Sequence, residues 1–177
     1  MIIRQETDTD IAAIDAVHVA AFGALSSDVV PVEDALVRAL RSDKGWVDSL
    51  SLVAERPSGP SGQQSIVGHV VCTAGSIGEV AILGLGPLGV LPEHHGSGVG
   101  SALMHAVLAA ADALGYPAVV LLGHKDYYPR FGFVRASDVG ISPTDPAWEP
   151  AFQARLLSNW LPSMGGEFTY AAPFDDI

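Results

Sequence analysis

Hydrophobic positions along the chain fall into short blocks that switch between a period of two and a helical period. Ile2-Ile3-Arg4-Gln5 predicts a short first strand. Ile11, Ile14, Val17, His18 and Ala21 then recur at helical spacing behind Thr7-Asp8-Thr9-Asp10, whose side chains suit a helix N-cap. Pro31 opens a second helix with Leu36, Val37 and Leu40 on its apolar side. Residues 50–55 and the β-branched run 65–73 read as two strands of an antiparallel hairpin. The Pro/Ser/Gly-rich stretch 56–64 is the loop between them. Residues 80–90 are apolar throughout, yet Gly84, Gly86, Pro87 and Gly89 lie inside the run. Proline donates nothing to a ladder and glycine weakens one, so a bulge or splay is expected near Gly86-Pro87.

Residues 98–114 predict a helix with Leu103, Val107, Ala110 and Leu114 in one stripe, closed by Gly115 and Pro117. Residues 118–122 then read as a buried strand. A strand, a loop, a helix and a strand in this order make a right-handed crossover, so strands 80–90 and 118–122 should run parallel. A short helix at 127–131, a strand from Phe133, a helix over 150–160 and a last strand at 167–171 complete the pattern. No internal repeat or long linker divides the chain, so residues 1–177 read as one domain.

Composition narrows the function classes. Hydrophobic residues make up 49% and mean hydropathy is +0.32, which excludes a disordered chain. No apolar run reaches the roughly 18 residues of a membrane span, and the N-terminus does not read as a signal peptide. Cys72 is the one cysteine, so no intrachain disulfide forms and a cytoplasmic location is the default expectation. Net charge is −11, from 20 acids and 9 bases. A nucleic-acid partner would need a basic footprint, which is lacking. The acids cluster in the flanks: residues 1–56 carry 10 acids and 5 bases, 57–136 carry 4 and 3, and 137–177 carry 6 and 1. A polyanion is repelled least in the middle, and acidic flanks suit a cationic substrate.

Gly96-Ser97-Gly98-Val99-Gly100 stands between a strand and a helix. The first turn of a helix has backbone N–H groups without internal partners and the positive end of the dipole, and both favour an anion. Glycines let the backbone approach phosphate, and Ser101 adds a hydroxyl. No Gly-Lys-Ser/Thr is present after these glycines, so this is not a nucleotide-triphosphate loop, and no Mg²⁺ or other metal is expected. Gly84-Leu85-Gly86-Pro87-Leu88-Gly89 spells a dinucleotide fingerprint. The next residues, Val90-Leu91-Pro92, do not open a helix, so the fingerprint lacks its structural context.

Leu88-Gly89-Val90-Leu91-Pro92 with His95-Gly96-Ser97-Gly98-Val99-Gly100 resembles the acetyl-CoA signature of the GNAT N-acetyltransferase family, Gln/Arg-x-x-Gly-x-Gly/Ala after a strand ending in Val-x-Pro. Tyr127-Tyr128-Pro129-Arg130-Phe131-Gly132-Phe133 resembles the family's Tyr-x-x-x-Gly-Phe segment, in the spelling of its YhbS-like subgroup. His95 departs from the Gln/Arg position. The resemblance implies an α/β fold: a mixed, mostly antiparallel sheet of six or seven strands, helices on both faces, and a splay between strands four and five. It implies acyl transfer from acetyl-CoA, as co-substrate, to a primary amine. Leu88, Gly89 and Val90 would pair with pantetheine, the Val90 N–H would serve the oxyanion, residues His95 to Ser101 would hold the pyrophosphate, and Tyr128 would protonate the thiolate. His124 stands where a polar residue of the family touches CoA.

The general base is open between Glu79, which opens the fourth strand, Glu33 on the second helix, and water. Arg130 reads as a surface charge at a helix end. His18, His69, His94 and His105 lack metal-ligand spacing, and Cys72 reads as a small core residue. A CoA-binding sensor without turnover is the rival function. The acceptor, a small molecule or a peptide or protein amine, the acyl length and a homodimer all stay open.

Overall fold

The predicted hairpin is the spine of the sheet. The computed structural model describes residues 1–23, 32–58 and 62–176. Strands β2 (Ser51–Ser58) and β3 (Gln63–Ile77) pair antiparallel from Ser51↔Val71 to Ser58↔Gln63. The connecting loop is therefore shorter than expected. Pro57 sits within β2 because β1 (Ile2–Gln5) pairs only as far as Glu55, which leaves Pro57 on an edge where its missing N–H costs no ladder bond. Strand β4 (Val80–Val90) runs antiparallel to β3, and β5 (Ala118–Leu122) runs parallel to β4 as the crossover requires.

The C-terminal third differs from expectation. Residues 150–160 do not form a helix: a 3-10 turn at Pro146–Ala151 leads into β8 (Phe152–Leu156). Strand β5 would otherwise expose its far edge, and β8 covers it over the register Ala118↔Leu156 to Leu122↔Phe152. The apolar residues that look helical by spacing are recruited by that open edge, a tertiary override of local preference. Strand β6 (Val134–Arg135) also pairs β8, while β7 (Ile141–Pro143) pairs β9 (Gly166–Thr169), which reaches back to the end of β3. The described residues thus hold nine strands, rather than six or seven, with the main order β1-β2-β3-β4-β5-β8-β6.

Among the described residues three α-helices cover the two faces. Helix α3 (Val99–Ala113) packs Leu103, Met104 and Val107 onto Leu83, Leu85 and Val70. Each such side chain contributes about 1.5–3 kcal/mol by leaving water. Leu114, expected in this stripe, is the C-cap and is 50% exposed; Ala111 completes the buried face instead. Helices α1 (Ile11–Phe22) and α2 (Val32–Arg41) cover the other face through Ile14, Val37 and Leu40. The expected opening of α2 by Pro31 lies outside the described residues. Asp10 closes the turn before α1 by accepting from the Thr7 backbone N–H at 2.7 Å and the Thr7 hydroxyl at 2.9 Å. Cys72 is buried in the core, and burial pushes its thiol up.

The α1/α2 face also contains a buried polar chain. The Ser51 hydroxyl donates to Glu6 at 2.5 Å, and His69 Nε2 lies 2.8 Å from that same hydroxyl. His69 Nδ1 lies 2.8 Å from His18 Nε2. With Ser51 donating to Glu6, its oxygen accepts from His69 Nε2–H. His69 Nδ1 then accepts from His18 Nε2–H, and both rings are neutral. His18 Nδ1 is left buried without a partner, facing Gly89 of β4. Burial holds the His18 imidazole down to about 3, reinforced by His69 and Arg41. Burial also lowers His69, against the pull of Glu6. Burial alone would raise Glu6, but hydrogen bonds from His69, Arg41 and Ser51 outweigh it and hold the carboxyl at about 2.

These shifts fix a pH dependence. An unfolded chain protonates its histidines near pH 6.5, whereas folded His18 resists until about 3. Stability is therefore complete above pH 6.5 and falls as the pH drops, and Glu6 adds a second loss below 4.5. From pH 7 to pH 5 the His18 contribution alone is on the order of 2 kcal/mol. Urea unfolding at these two pH values should show that loss, and equal stability at both would contradict the neutral pair.

Candidate active site

The strands β4 and β5 pair only at Leu83↔Val119 and Gly84↔Val120, then part. The reason lies in β4. Its register against β3 runs from Cys72↔Leu85 to Val70↔Leu88, so Val71 alone faces Gly86 and Pro87. That is the expected bulge, with a cis Gly86–Pro87 peptide and Gly86 at φ 150. Beyond it, Leu91 N–H donates to Val67 on β3 at 2.9 Å. Because backbone groups alternate along a strand, the N–H groups of Leu88 and Val90 point the other way, into the gap. Among the described residues no strand pairs with β4 on that side after Gly84. The Val90 carbonyl does have a partner: His95 Nε2 lies 2.8 Å from it and donates to it. The ring of His95 thus braces the strand end.

The glycine loop comes next along the chain. Gly96 and Gly98 have φ of 69 and 85, a left-handed backbone that other residues adopt only with strain. Gly98 is the N-cap of α3, whose first turn contains no acid. The backbone N–H groups of Val99, Gly100 and Ser101 open this helix, and the first bond back is Ala102 N–H to the Gly98 carbonyl at 3.0 Å. A cavity of about 470 Å³ lies over this turn. The loop contributes His95, Gly96, Gly98, Val99, Gly100 and Ser101, and β4 contributes Leu88 and Val90.

A second cavity of about 460 Å³ sits at the bulge itself, walled by Leu85, Gly86, Pro87 and Leu88 of β4, Leu122 of β5, and Tyr128. Leu88 and Phe22 border both cavities, so the two adjoin along the open edge of β4. Tyr128 starts a 3-10 turn (Tyr128–Phe131) and packs edge-on against Tyr127 and Phe133. Burial, and to a lesser degree Tyr127, pushes its phenol up to about 12. It therefore stays protonated throughout the neutral range.

The structure brings together most of the predicted residues. Glu33 lies on the wall of the second cavity. Gly89 lines neither cavity; it backs the strand, with His18 Nδ1 2.8 Å from where a Cβ would stand. Ser97 is occupied within the loop, its hydroxyl donating to the His94 carbonyl at 2.6 Å. Two expectations are not met. Glu79 lies in the exposed turn before β4, at the end of the strand opposite the gap, and His124 is exposed and lines neither cavity. Other residues were missed. Arg130 lines the first cavity with its guanidinium 4.7 Å from the Tyr127 ring, as the i, i+3 spacing on a 3-10 turn permits. Arg56 donates to the Ser97 carbonyl at 2.9 Å and to its hydroxyl at 3.1 Å, placing a second cation beside the loop. No group of three or more metal-ligating side chains gathers among the described residues.

Comparison with known proteins decides the family. The chain is 34% identical to the N-acetyltransferase YhbS of Escherichia coli over 90% of its own length and 89% of that protein's. It belongs to the GNAT acetyltransferase family. The family model described as an acetyltransferase (GNAT) domain matches residues 48–135, the stretch from β2 through the tyrosine turn to β6. The crystal structure of Escherichia coli YhbS in complex with CoA superposes with a TM-score of 0.83 at 29% identity, covering 98% of this chain and 91% of that one. A GNAT family acetyltransferase from Brucella melitensis in complex with acetyl-CoA gives a TM-score of 0.75 at 34% identity, covering 98% and 97%. The splayed sheet is thus the GNAT fold, and the chain is an N-acetyltransferase by kinship.

Gly123 gives a test of the site's packing. A Cβ there would run into the Tyr128 ring at Cε2 and Cδ2, a ring that also packs edge-on against Phe133. Gly123→Ala should therefore cost about 1–3 kcal/mol of stability as an overpacked contact. Denaturant unfolding measures it, and an unchanged midpoint would mean that the ring moves aside at little cost.

Proposed function

We propose that this GNAT chain transfers an acetyl group from acetyl-CoA to a primary amine by direct attack, in the gap between β4 and β5. The carrying observation is the unpaired edge of β4, two inward N–H groups ending in a left-handed glycine loop at a helix N-terminus. An extended pantetheine arm matches the edge, and a pyrophosphate matches the loop. Relatives crystallised with CoA and acetyl-CoA support this choice of anion. Arg130 and Arg56 add positive charge where the phosphates would lie.

The placement of these groups sets the chemistry. The amine nitrogen attacks the thioester carbonyl, and the Val90 N–H, already turned into the gap, stabilises the oxygen as it becomes negative. The carbon–sulfur bond then breaks, and Tyr128 donates to the departing sulfur. With a pKa near 12, the phenol is roughly three units weaker an acid than a thiol. The hydrogen bond to sulfur therefore matters more than a completed proton transfer. The proton lost by the amine passes to Glu33 or to water in the same cavity. Glu79 is too far along β4 to serve.

Two measurements test this reading. CoA at 100 times its dissociation constant should stabilise the protein by about 2.7 kcal/mol, seen as a raised Tm. Gly98→Val, which forces a branched side chain into φ 85, should abolish that rise while the protein still folds. An unmoved melting curve for the wild type at millimolar CoA would overturn the assignment. Tyr128→Phe should lower kcat by about 10²-fold, the modest end for an acid–base group, and leave CoA affinity near wild type. Equal turnover under conditions where chemistry limits the rate would return Tyr128 to a packing role.

A further inference from the structure

The cavity at the bulge has two halves of different origin. Leu85 to Leu88, Leu122 and Tyr128 belong to the strands and turn that would hold the thioester in acetyl transfer. The opposite wall is Phe22 at the end of α1, Glu33 and Leu36 on α2, and Trp148, Tyr170 and Phe174 from the C-terminal segment. All six lie outside residues 48–135, the part shared with the family model. In the proposed acetyl transfer this second wall would face the thioester end, where an acceptor would enter.

Its chemistry is selective. Four of the six side chains are aromatic, and three of these form a packed cluster: Tyr170 lies 4.7 Å from Phe174 and edge-on 6.2 Å from Trp148 by ring centroid. Tyr170 approaches so closely that a Cβ on Gly84 would stand 2.7 Å from its ring, so the wall is pressed against β4. Burial also pushes the Tyr170 phenol up. Among the described residues Glu33 is the one carboxylate on this wall, and it makes no hydrogen bond or ion pair with them. Aromatic faces attract a cation and accept a flat apolar body, and one carboxylate answers one ammonium. A polyamine would bring several charges against the single anion that the described residues of the wall supply. An aminosugar would bring hydroxyls, and a peptide would bring amides. A wall that is mostly aromatic and aliphatic offers those groups few partners for the water they lose.

We propose that the acceptor is a small amine with a single ammonium group on an apolar, aromatic-sized body, its nitrogen directed by Glu33 and its body held by Trp148, Tyr170 and Phe174. This rests on the acetyl-transfer reading but is tested apart from it. A volume of about 460 Å³, shared with the thioester end, suits a molecule of that size. Within the wall the ammonium sheds water and can lose its proton, leaving the neutral nitrogen that attack requires.

Calorimetric titration of the CoA-loaded protein separates the alternatives. The probes are phenethylamine, spermidine, kanamycin and a short peptide with a free N-terminal alanine and one lysine. Phenethylamine should bind at least about tenfold more tightly than the other three. Glu33→Gln, Trp148→Ala and Phe174→Ala should each weaken it about tenfold, while Trp148→Phe, which keeps an aromatic face, should restore most of the affinity. CoA affinity should not move in any of these variants, which would expose a mere folding defect. Tighter or equal binding of spermidine, kanamycin or the peptide overturns the proposal, as does unchanged phenethylamine affinity in all three variants. Thiol release from acetyl-CoA is read separately. Release with the peptide but no phenethylamine binding sinks this inference and leaves acetyl transfer standing. Selective phenethylamine binding without thiol release from any amine sinks acetyl transfer and leaves the preference of the cavity.

Discussion

A β-strand edge with no partner is normally a liability, and here it is the centre of the molecule. Beyond Gly84, β4 continues to Val90 while β5 turns away, and the N–H groups of Leu88 and Val90 are left facing a gap. The cause is local: two residues, Gly86 and Pro87, stand against Val71 alone, and the bulge redirects the strand. The protein protects the edge without filling it. His95 ties the Val90 carbonyl, Phe22 borders the gap, and the Tyr127–Tyr128 pair stands across from it. In the proposed acetyl transfer an extended ligand would complete the sheet at this unpaired edge rather than sit on it.

Holding that edge in place falls partly to the buried chain from Glu6 to His18. It joins the segment after β1, β2, β3 and α1, and it ends with an imidazole nitrogen against Gly89. The arrangement needs glycine at that position, because His18 Nδ1 occupies the space of a side chain. Arg41 adds a bidentate pair to Glu6 at 2.7 and 3.1 Å, which ties the end of α2 to the same chain. A buried polar network of this kind specifies one arrangement of its elements, at the cost of sensitivity to acid. The back of the cofactor strand is thus fixed by hydrogen bonds and its front is left free.

How much of this the sequence discloses depends on the range of the forces involved. The interruption at Gly86-Pro87, the parallel β4–β5 pair and the glycine loop were legible, because each arises from backbone rules acting within a few residues. Tyr128 and the role of His95 near the loop came from resemblance, although the bond from His95 to the Val90 carbonyl did not. The strand β8 was not legible. Phe152, Leu156 and Trp160 are spaced as on a helix, and only the open edge of β5 makes five of these residues extended. Glu79 and His124 were drawn to the site by their order along the chain, and strand length carries Glu79 to the wrong end. The aromatic wall was hidden for the same reason as β8, since Phe22, Trp148 and Phe174 meet only through the closed sheet.

These differences divide the chain into two contributions. Residues 48–135 carry the bulged strand, the glycine loop and the tyrosine turn, which are the parts the family shares. That region is the least acidic part of the chain: residues 48–135 hold 6 acids against 4 bases, and Arg130 sits beside the loop with Arg56 reaching it from β2. A polyanionic cofactor therefore meets the least repulsive part of a chain whose net charge is −11. The flanks contribute α1, α2 and the C-terminal segment, and with them the wall opposite the thioester. They also carry the excess negative charge, 10 acids to 5 bases before residue 57 and 6 to 1 after residue 136. If the acceptor is an amine, as proposed, it would arrive as a cation, and the excess negative charge of the flanks would favour its approach over that of an anion. A polyanionic cofactor and a cationic acceptor would then be favoured by different parts of one chain while meeting in the same gap.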